Sequence, residues 1–456
     1  MKSTLDAGLL SKASQSVEAQ LGLHYPPERW ADLERGLRGA AAELGFGTVE
    51  ACAEEFLRAG LNRMQIDALA AHLTIGETYF FREPAVFEAL TTQILPAIAD
   101  GHRNRAKRLR IWSAGCCTGE EPYSIAIALR RAIPDLHDWQ VTILATDINS
   151  RFLHKAMDGV YGSWSFRGVP EEIRSVYFRR TPDGRFAIVP SIRKMVAFAC
   201  LNLVEDIYPA LANNTAAMDL ILCRNLLMYF SRAQMRKVTA NLHRALVEGG
   251  RLVVSATEAS QELFGAFSAG EIPGIALYRK QAGAPRLAPA APPPAPHPVR
   301  HQARAKPQAP PRKPSPSPRA AAPAPPPDHA AEARRLANEG RLGDALGACE
   351  RALSADKLVP AHHFLRGVIL QEQNALDEAA AALRRALYLD PDFAVAHFTL
   401  GHLLVRLGRQ RQAARSFANA RSLLQQRPAG AVVPEAEGMT AGRLLELITS
   451  TEEALA

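Results

Sequence analysis

Residues 112–126 read WSAGCCTGEEPYSIA, and they join an apolar run to a helical pattern through a glycine-containing turn. This order is typical of nucleotide-binding α/β domains, whose ligands bind beyond the carboxyl ends of the strands. A phosphate ligand favours a helix start that is free of carboxylates and often carries a lysine. Here Glu120 and Glu121 stand at the helix start, and GCCTGEEP contains no lysine. The stretch therefore predicts a ligand without phosphate.

Two carboxylates are candidate contacts for such a ligand. S-adenosylmethionine suits this helix start, because it carries a cationic amine, a sulfonium and a sugar but no phosphate. Asp147 closes the next apolar run in LATDIN (144–149), where it can accept hydrogen bonds from ribose hydroxyls. Two other interpretations stay open: the glutamates can stabilise the dipole of their own helix, and Asp147 can cap the next helix.

Short apolar runs alternate with amphipathic helices around this stretch. The predicted strands are LRIWSAG (109–115), QVTILATD (140–147), MDLILCRN (218–225) and RLVVSATE (251–258), the last one preceded by a turn at VEGG (247–250). This alternation implies a parallel sheet with right-handed crossovers. Residues 177–199 predict a small antiparallel insertion with a turn at 182–184.

The flanking segments divide the chain further. Apolar residues at three-and-four spacing predict an N-terminal helical domain over residues 1–85, before an α/β domain over 86–281 with a β subdomain at 178–199. Residues 282–327 hold about half of the 32 prolines, which predicts an extended, semi-rigid spacer.

The remaining sequence repeats every 34 residues. The matching positions are Ala345, Ala379 and Ala413, and likewise Cys349, Leu383 and Phe417. Small residues at this period are the signature of tetratricopeptide repeats. We expect three repeats over residues 328–428 that bind a protein partner, and a tail with a capping helix over 429–456. A purely structural or dimerising role is the alternative.

The composition restricts the class of protein. The net charge of +8 favours a nucleic-acid ligand, but seven basic residues lie in the Pro-rich segment, so we expect no nucleic-acid partner. Six cysteines without metal-type spacing predict reduced thiols and no metal site. No run approaches 18 apolar residues, and the N-terminus lacks a long apolar stretch. We therefore expect neither a membrane-spanning helix nor a signal peptide.

Five motifs together resemble one family. They are TYFFREP (78–84), WSAGCCTGEEPYSIA (112–126), ATDIN (145–149), CLNL (200–203) and CRNLLMYF (223–230). Over about residues 15–280 the chain resembles the CheR-type chemotaxis methyltransferases, which methylate receptor glutamates with S-adenosylmethionine. The resemblance implies a Rossmann-like methyltransferase domain, and hence an α/β fold with an N-terminal helical domain, a small β insertion and an all-α repeat domain.

The resemblance also implies roles for individual residues. Cofactor contacts are implied at Thr78, Arg82, Glu120, Asp147, Asn202, Leu203, Arg224 and Asn225. Arg82 and Tyr229 are implied to be catalytic, at the methyl-transfer point. Without the motifs, Arg82 could merely pair with Glu83, and Tyr229 could be a core aromatic.

Three positions depart from the family pattern. Gly76 stands where many relatives have asparagine, and SATE (255–258) replaces a pattern that contains His-Ser-Glu. The insertion around Asp183 is short, whereas relatives that tether to a receptor's C-terminal pentapeptide have a longer loop there. We expect an active enzyme that does not rely on this tether.

The leading hypothesis is a protein-glutamate O-methyltransferase that forms methyl esters on chemoreceptors and releases S-adenosylhomocysteine. The expected partners are the cytoplasmic domains of chemoreceptors and an unknown protein bound by the repeats, and the expected location is the cytoplasm, at membrane receptor arrays. Two alternatives stay open. A nucleic-acid methyltransferase commonly has an Asn/Asp-Pro-Pro-aromatic motif, which the sequence lacks. A non-catalytic, cofactor-sensing adaptor is disfavoured by intact Arg82, Asp147 and Tyr229.

Overall fold

The computed structural model describes residues 5–103, 107–210, 213–270, 272–281, 328–338, 340–436 and 439–455. The expected spacer at 282–327 lies outside the described residues. Within these ranges a helical region comes first, an α/β region follows, and paired helices end the chain. None of the described helices is both long and apolar enough to cross a membrane.

The described part of the N-terminal region contains four α-helices, which are α1 (Ala7–Leu21), α2 (Trp30–Glu43), α3 (Val49–Ala59) and α4 (Arg63–Leu73). Asp6 caps α1 by accepting from the N–H groups of Gly8 and Leu9. Helix α1 ends at Gly22, whose φ is +76°. A Cβ there would lie 2.3 Å from Val204 Cγ1. Glycine therefore allows the end of α1 to approach the α/β region closely.

The α/β region begins with one continuous helical segment made of α5 (Pro84–Ala89), a π-helical turn (Leu90–Ile94) and α6 (Leu95–His102). Its strands are β1 (Arg108–Ala114), β2 (Gln140–Asp147), β3 (Val160–Tyr161), β4 (Phe178–Arg180), β5 (Phe186–Ile188), β6 (Val196–Cys200), β7 (Met218–Leu222), β8 (Leu246–Val253), β9 (Phe267–Ala269) and β10 (Leu277–Lys280). Its other helices are α7 (Glu120–Ala132), α8 (Ser150–Asp158), α9 (Glu171–Tyr177), α10 (Pro190–Arg193) and α11 (Arg232–Ala245).

Seven strands form one sheet in the order β6-β2-β1-β7-β8-β10-β9. The first five are parallel, and β10 runs antiparallel between β8 and β9. On one face, Ile111 and Ile143 pack in a core with α7, and on the other face Trp112 and Leu144 pack with the N-terminal helices. This mixed sheet with helices on both faces is typical of Rossmann-like methyltransferases and confirms the predicted fold class.

Two details of the sheet differ from the sequence-based expectation. Residues 196–199 were expected in the antiparallel insertion but belong to β6, the edge strand that runs parallel to β2. A short apolar run does not reveal its partner, so the pattern could not assign it. The VEGG turn lies inside β8, where Gly249 has a φ of +80° and the pairing with β7 shifts register. The insertion itself is the antiparallel sheet β3-β5-β4.

Six helices follow residue 328 as three antiparallel pairs, which are α12 (His329–Asn338) with α13 (Leu342–Ala355), α14 (Pro360–Glu372) with α15 (Leu376–Leu389), and α16 (Ala394–Arg406) with α17 (Gln410–Gln425). Within a pair the helices cross closely, since a Cβ at Gly401 would lie 2.5 Å from the Phe417 ring. A final helix, α18 (Ala441–Leu455), packs against α17. The helix pairs confirm the predicted tetratricopeptide architecture.

Candidate functional site

A cavity opens at the carboxyl ends of β1, β2 and β7 and is closed on one side by the end of α1. Eight of the nine predicted site residues line it, namely Thr78, Arg82, Asp147, Asn202, Leu203, Arg224, Asn225 and Tyr229. Glu120 does not line the cavity, whereas its neighbour Glu121 does. The structure therefore brings together residues that are spread over 150 positions of the sequence, with one exception at the start of α7.

The glycine turn after β1 folds over the end of β2. The backbone N–H groups of Gly115 and Cys116 donate to Thr146 O, at 2.8 and 2.9 Å. Gly115 has a φ of +80°, and a Cβ there would lie 2.7 Å from the Leu226 side chain. Burial raises the pKa of Cys117 to about 12, so its thiol stays protonated at neutral pH. These observations fit a tight turn whose cysteines act as small residues.

Asp147 presents its carboxylate at the centre of this edge. Its Oδ2 accepts from the Cys117 N–H and its Oδ1 from the Asn149 N–H, each at 2.9 Å. Burial raises the pKa of Asp147, while these backbone N–H groups counter the rise. Asn149, not Asp147, caps α8 by accepting from the N–H groups of Arg151 and Phe152. Asp147 therefore keeps acceptor capacity for a ligand.

The two glutamates at the start of α7 point in different directions. The Glu120 carboxylate is buried and accepts hydrogen bonds from Thr118 Oγ1, at 2.6 Å, and from Ser165 Oγ, at 3.0 Å. The Glu121 carboxylate accepts from Ser113 Oγ, at 2.7 Å, and lines the cavity. Successive side chains on a helix point about 100° apart, so only one of two neighbours can face the ligand.

Arg224 connects Glu121 to the segment that carries Arg82. Its Nη1 lies 3.0 Å from Glu121 Oε2, and its Nη2 donates to the backbone oxygen of Arg82 at 2.7 Å. Its Nη2 also lies 3.3 Å from Glu83 Oε1, and the Arg224 side chain is only 1% exposed. Glu83 thus pairs with Arg224, while the Arg82 guanidinium donates to the backbone oxygen of Glu77. The alternative pairing of Arg82 with Glu83 is not observed.

Four of the eight non-glycine residues with left-handed backbone in the described part of the chain lie in or beside the wall of the cavity. Phe81, Glu83, Cys117 and Asn225 all have φ between +49° and +62°, which is rare for residues other than glycine. Such conformations persist where surrounding contacts impose them, and they cluster at functional sites. The strained residues flank Arg82, the glycine turn and the segment that leads to Tyr229.

Glu258 is a site residue that sequence reasoning missed. It is buried; its Oε2 accepts from the Asn225 N–H at 2.8 Å, and its Oε1 accepts from the Leu226 N–H at 2.7 Å. Glu258 therefore fixes the backbone of the segment that carries Tyr229. The available signal is the glutamate at the end of the predicted strand RLVVSATE (251–258), on the edge of the sheet where the ligand is expected.

Asn202 and Gly76 have structural explanations. Asn202 Nδ2 donates to Gln20 O at 2.7 Å, so its side chain ties the end of α1 to the cavity wall. At position 76, a Cβ would lie 2.8 Å from the Phe152 ring. Phe152, which itself lines the cavity, thus occupies the space that an asparagine at position 76 would need.

The residues present suit a cationic nucleoside ligand. Asp147 and Glu121 supply two carboxylates, and Leu21, Leu203 and Phe230 supply apolar walls. S-adenosylmethionine has an adenine for the apolar walls, ribose hydroxyls for a carboxylate and an ammonium for a second carboxylate. The cavity chemistry therefore fits this cofactor.

Comparisons with known proteins agree with this fit. The model of the CheR methyltransferase SAM-binding domain matches residues 76–272, and a tetratricopeptide repeat model matches residues 367–408. Chemotaxis protein methyltransferase 2 of Vibrio cholerae is 34% identical over 46% of this chain and 72% of its own length. Chemotaxis protein methyltransferase 1 of Pseudomonas aeruginosa is 37% identical, over 45% of this chain and 73% of its own length.

A third relative extends into the repeats. The probable biofilm formation methyltransferase WspC of Pseudomonas aeruginosa is 31% identical over 74% of this chain and 81% of its own length. The cofactor is therefore S-adenosylmethionine, and the matched repeats indicate a protein-interaction module. The chain belongs to the CheR family of S-adenosylmethionine-dependent methyltransferases, with tetratricopeptide repeats at its C-terminal end.

Proposed function

We propose that the enzyme methylates the side-chain carboxylate of specific glutamates in chemoreceptors and forms methyl esters in chemosensory adaptation. The supporting observation is that Arg82 and Tyr229 line the same cavity as Asp147 and Glu121. A guanidinium and a phenol beside the cofactor carboxylates suit an anionic substrate. The chemotaxis and biofilm methyltransferases among the relatives support a receptor as the substrate-bearing protein.

The chemistry asks for positioning rather than proton transfer. A glutamate side chain, with a reference pKa of about 4.3, is already ionised at neutral pH and needs no general base. The bound cofactor supplies an electrophilic methyl group on a sulfonium. Arg82 orients the substrate carboxylate through two N–H donors, Tyr229 adds a hydroxyl donor, and the apolar walls exclude water.

The proposed cofactor contacts follow from the cavity. Asp147 accepts from the ribose hydroxyls, and Glu121 replaces Glu120 as the carboxylate for the ligand's ammonium. Thr78, Asn202, Leu203 and Asn225 complete the wall. Arg224 is a positioning residue, because its guanidinium is engaged by Glu121 and by the backbone of the Arg82 segment.

The test is methyl transfer from labelled S-adenosylmethionine to membranes that carry candidate chemoreceptors, followed by exposure to base. Carboxyl methyl esters release methanol in base, whereas N-methyl groups survive. We expect base-labile label, and a loss of about 100-fold or more in kcat/KM for Arg82→Ala, as for removal of an electrostatic donor elsewhere. Arg236→Ala is the matched control, since Arg236 is exposed on α11, away from the cavity.

Each contrary outcome points elsewhere. Label that survives base would indicate that the methylated substrate is nucleic acid or lysine rather than glutamate. Cofactor binding without any labelled receptor would favour the adaptor hypothesis. An unchanged rate in Arg82→Ala would remove Arg82 from the methyl-transfer point.

A further inference from the structure

A second cavity, of about 970 Å³, lies between the repeats and the α/β region. Arg110 and Lys194, at or near the amino-terminal ends of β1 and β6, line one side of it. Glu372 and His402, on α14 and α16, line the other side. The first helices of the second and third repeats therefore face the chain's own methyltransferase domain.

An ion-pair cluster joins the two sides. Glu372 Oε2 lies 2.6 Å from Arg110 Nη1 and 3.4 Å from Arg108 Nη2. The side chains of Glu372 and Arg110 are 6% and 4% exposed, so this pair is largely withdrawn from water. Arg110 Nη2 also donates to Asn214 O at 2.9 Å, but the buried Arg110 Nε has no partner in the described part of the chain.

Positive charge is in excess around Glu372. Burial lowers the pKa of Arg108, and the neighbouring Arg110 lowers it further, whereas Glu372 raises it. Burial also lowers the pKa of Arg406, which feels both Glu372 and Arg110. The other nearby carboxylate, Asp219, is engaged by His102 at 3.0 Å and by the Arg110 backbone N–H at 2.8 Å. One carboxylate from the repeats thus pairs with two guanidinium groups of the α/β region.

The local helix does not explain the position of Glu372. Glu372 is the last residue of α14, and a carboxylate at a helix C-terminus is disfavoured by the helix dipole. The arginines of the other domain therefore account for its burial. The repeats also approach the α/β region closely at Gly340, where a Cβ would be 3.0 Å from Val247 Cγ1 and 3.4 Å from Ala217 Cβ.

We propose that the repeats form an intramolecular clamp on the methyltransferase domain, in which Glu372 pairs with Arg108 and Arg110 of that domain. We further propose that an acidic segment of a protein partner opens the clamp by taking the place of Glu372. The partner gains the guanidinium groups, and opening uncovers α14 and α16, which line the cavity. Because a buried charge without its partner is costly, the guanidinium cluster favours one carboxylate or the other over none. This inference does not depend on the methyl-accepting substrate.

The clamp is tested on the full chain by small-angle X-ray scattering. A compact chain of this length has a radius of gyration of about 22–23 Å. We expect Glu372→Lys to enlarge the measured radius by about 10% or more relative to the unmodified chain, because a lysine repels the arginines. Glu378→Lys, at an exposed carboxylate of the same repeat, should leave the radius unchanged. An unchanged radius in Glu372→Lys overturns the clamp.

The fold of each variant is checked independently. Affinity for S-adenosylhomocysteine should stay within about twofold, because Arg108 and Arg110 lie towards the amino-terminal end of β1, whereas the cofactor cavity lies at its carboxyl end. If Glu372→Lys fails this check, Glu372→Gln removes the charge without reversing it and should give a smaller expansion. A compact Glu372→Gln chain at low ionic strength would then contradict the clamp.

The partner chemistry is tested with two synthetic probes at low ionic strength, a hexaglutamate peptide and a hexalysine peptide. The acidic peptide should expand the unmodified chain towards the radius of Glu372→Lys, and the basic peptide should not. If both peptides expand the chain, the proposal of an acidic partner is wrong. It is also wrong if neither peptide expands the chain while Glu372→Lys is expanded. In both cases the clamp itself is not contradicted.

Discussion

The cofactor cavity and the repeats are stabilised in opposite ways. Around the cavity, Arg224, Glu121 and Glu258 are charged, largely buried and linked by hydrogen bonds, and several neighbours have left-handed backbone. In the repeats, glycine and alanine allow helices to cross, and large apolar side chains such as Phe417 fill the interior. The first region keeps polar groups in a strained arrangement for a ligand, while the second gains stability from apolar packing.

This difference predicts that the two regions fail independently. Truncation of a buried apolar side chain should unfold the repeats without weakening cofactor binding, because each repeat contacts chiefly its neighbours. Charge substitution around the cavity should change ligand affinity more than stability. Substitutions in each region and a change of pH test that separation.

The largest effect is expected for Phe417→Ala. Phe417 is fully buried against Gly401 and His402, so its removal should lower the free energy of unfolding of the repeats by about 3–5 kcal/mol. Denaturant unfolding followed by circular dichroism measures the loss. Affinity for S-adenosylhomocysteine should be unchanged; a parallel loss of affinity would show that the repeats support the cofactor site.

A smaller loss of stability is expected at acidic pH. His402 lies between the rings of Phe398 and Phe417, and burial lowers its pKa to about 4 from 6.5. Between pH 6.5 and 4 the unfolded state therefore binds more protons at this residue than the folded state does. The contribution of neutral His402 to the free energy of unfolding is complete above pH 6.5 and decreases as the pH falls. Through this residue, a decrease in pH from 7.5 to 5 should lower the free energy of unfolding by about 2 kcal/mol.

The pH effect is assigned to one residue by His402→Gln. Unfolding of the full chain at pH 7.5 and 5 gives the difference for each variant. His402→Gln should show a pH dependence that is smaller by about 2 kcal/mol. An identical pH dependence in both chains would exclude His402 as its source.

The smallest effect distinguishes two adjacent glutamates. Glu121→Gln should weaken binding of S-adenosylhomocysteine about tenfold, because a charged acceptor that faces the ligand is lost. Glu120→Gln is the matched control and should change the affinity less than twofold, since Glu120 contacts Thr118 and Ser165 instead. Isothermal titration calorimetry measures both, and the reverse ranking would restore Glu120 as the cofactor contact.

Much of the fold could be predicted from the sequence because its signals are local. The alternation of apolar runs and helices predicted the sheet, and the 34-residue step through Ala379 and Ala413 predicted the repeats. Which of Glu120 and Glu121 faces the cavity depends on the direction of each side chain in the first turn of α7. The residue types alone do not reveal this direction. Strand β6 was misplaced because an apolar run carries no information about its neighbour.

The missed features depend on distant pairs. Arg110 and Glu372 are separated by 262 positions, and neither stands in a motif. Glu258 contacts a backbone N–H 33 positions away, so its role became visible only once the strand ends were in place. Such contacts follow from the assembled fold rather than from any segment of it.

The contact between α1 and the cofactor cavity limits how recombination can divide the coding sequence of this protein. The end of α1 supplies Leu21 and Leu23 to the cofactor cavity, and Asn202 is tied to Gln20. Recombination that moved the α/β region alone would transfer a site that lacks one wall. The N-terminal helices and the sheet therefore form a single unit for gene fusion, whereas no described residue of the repeats lines the cofactor cavity.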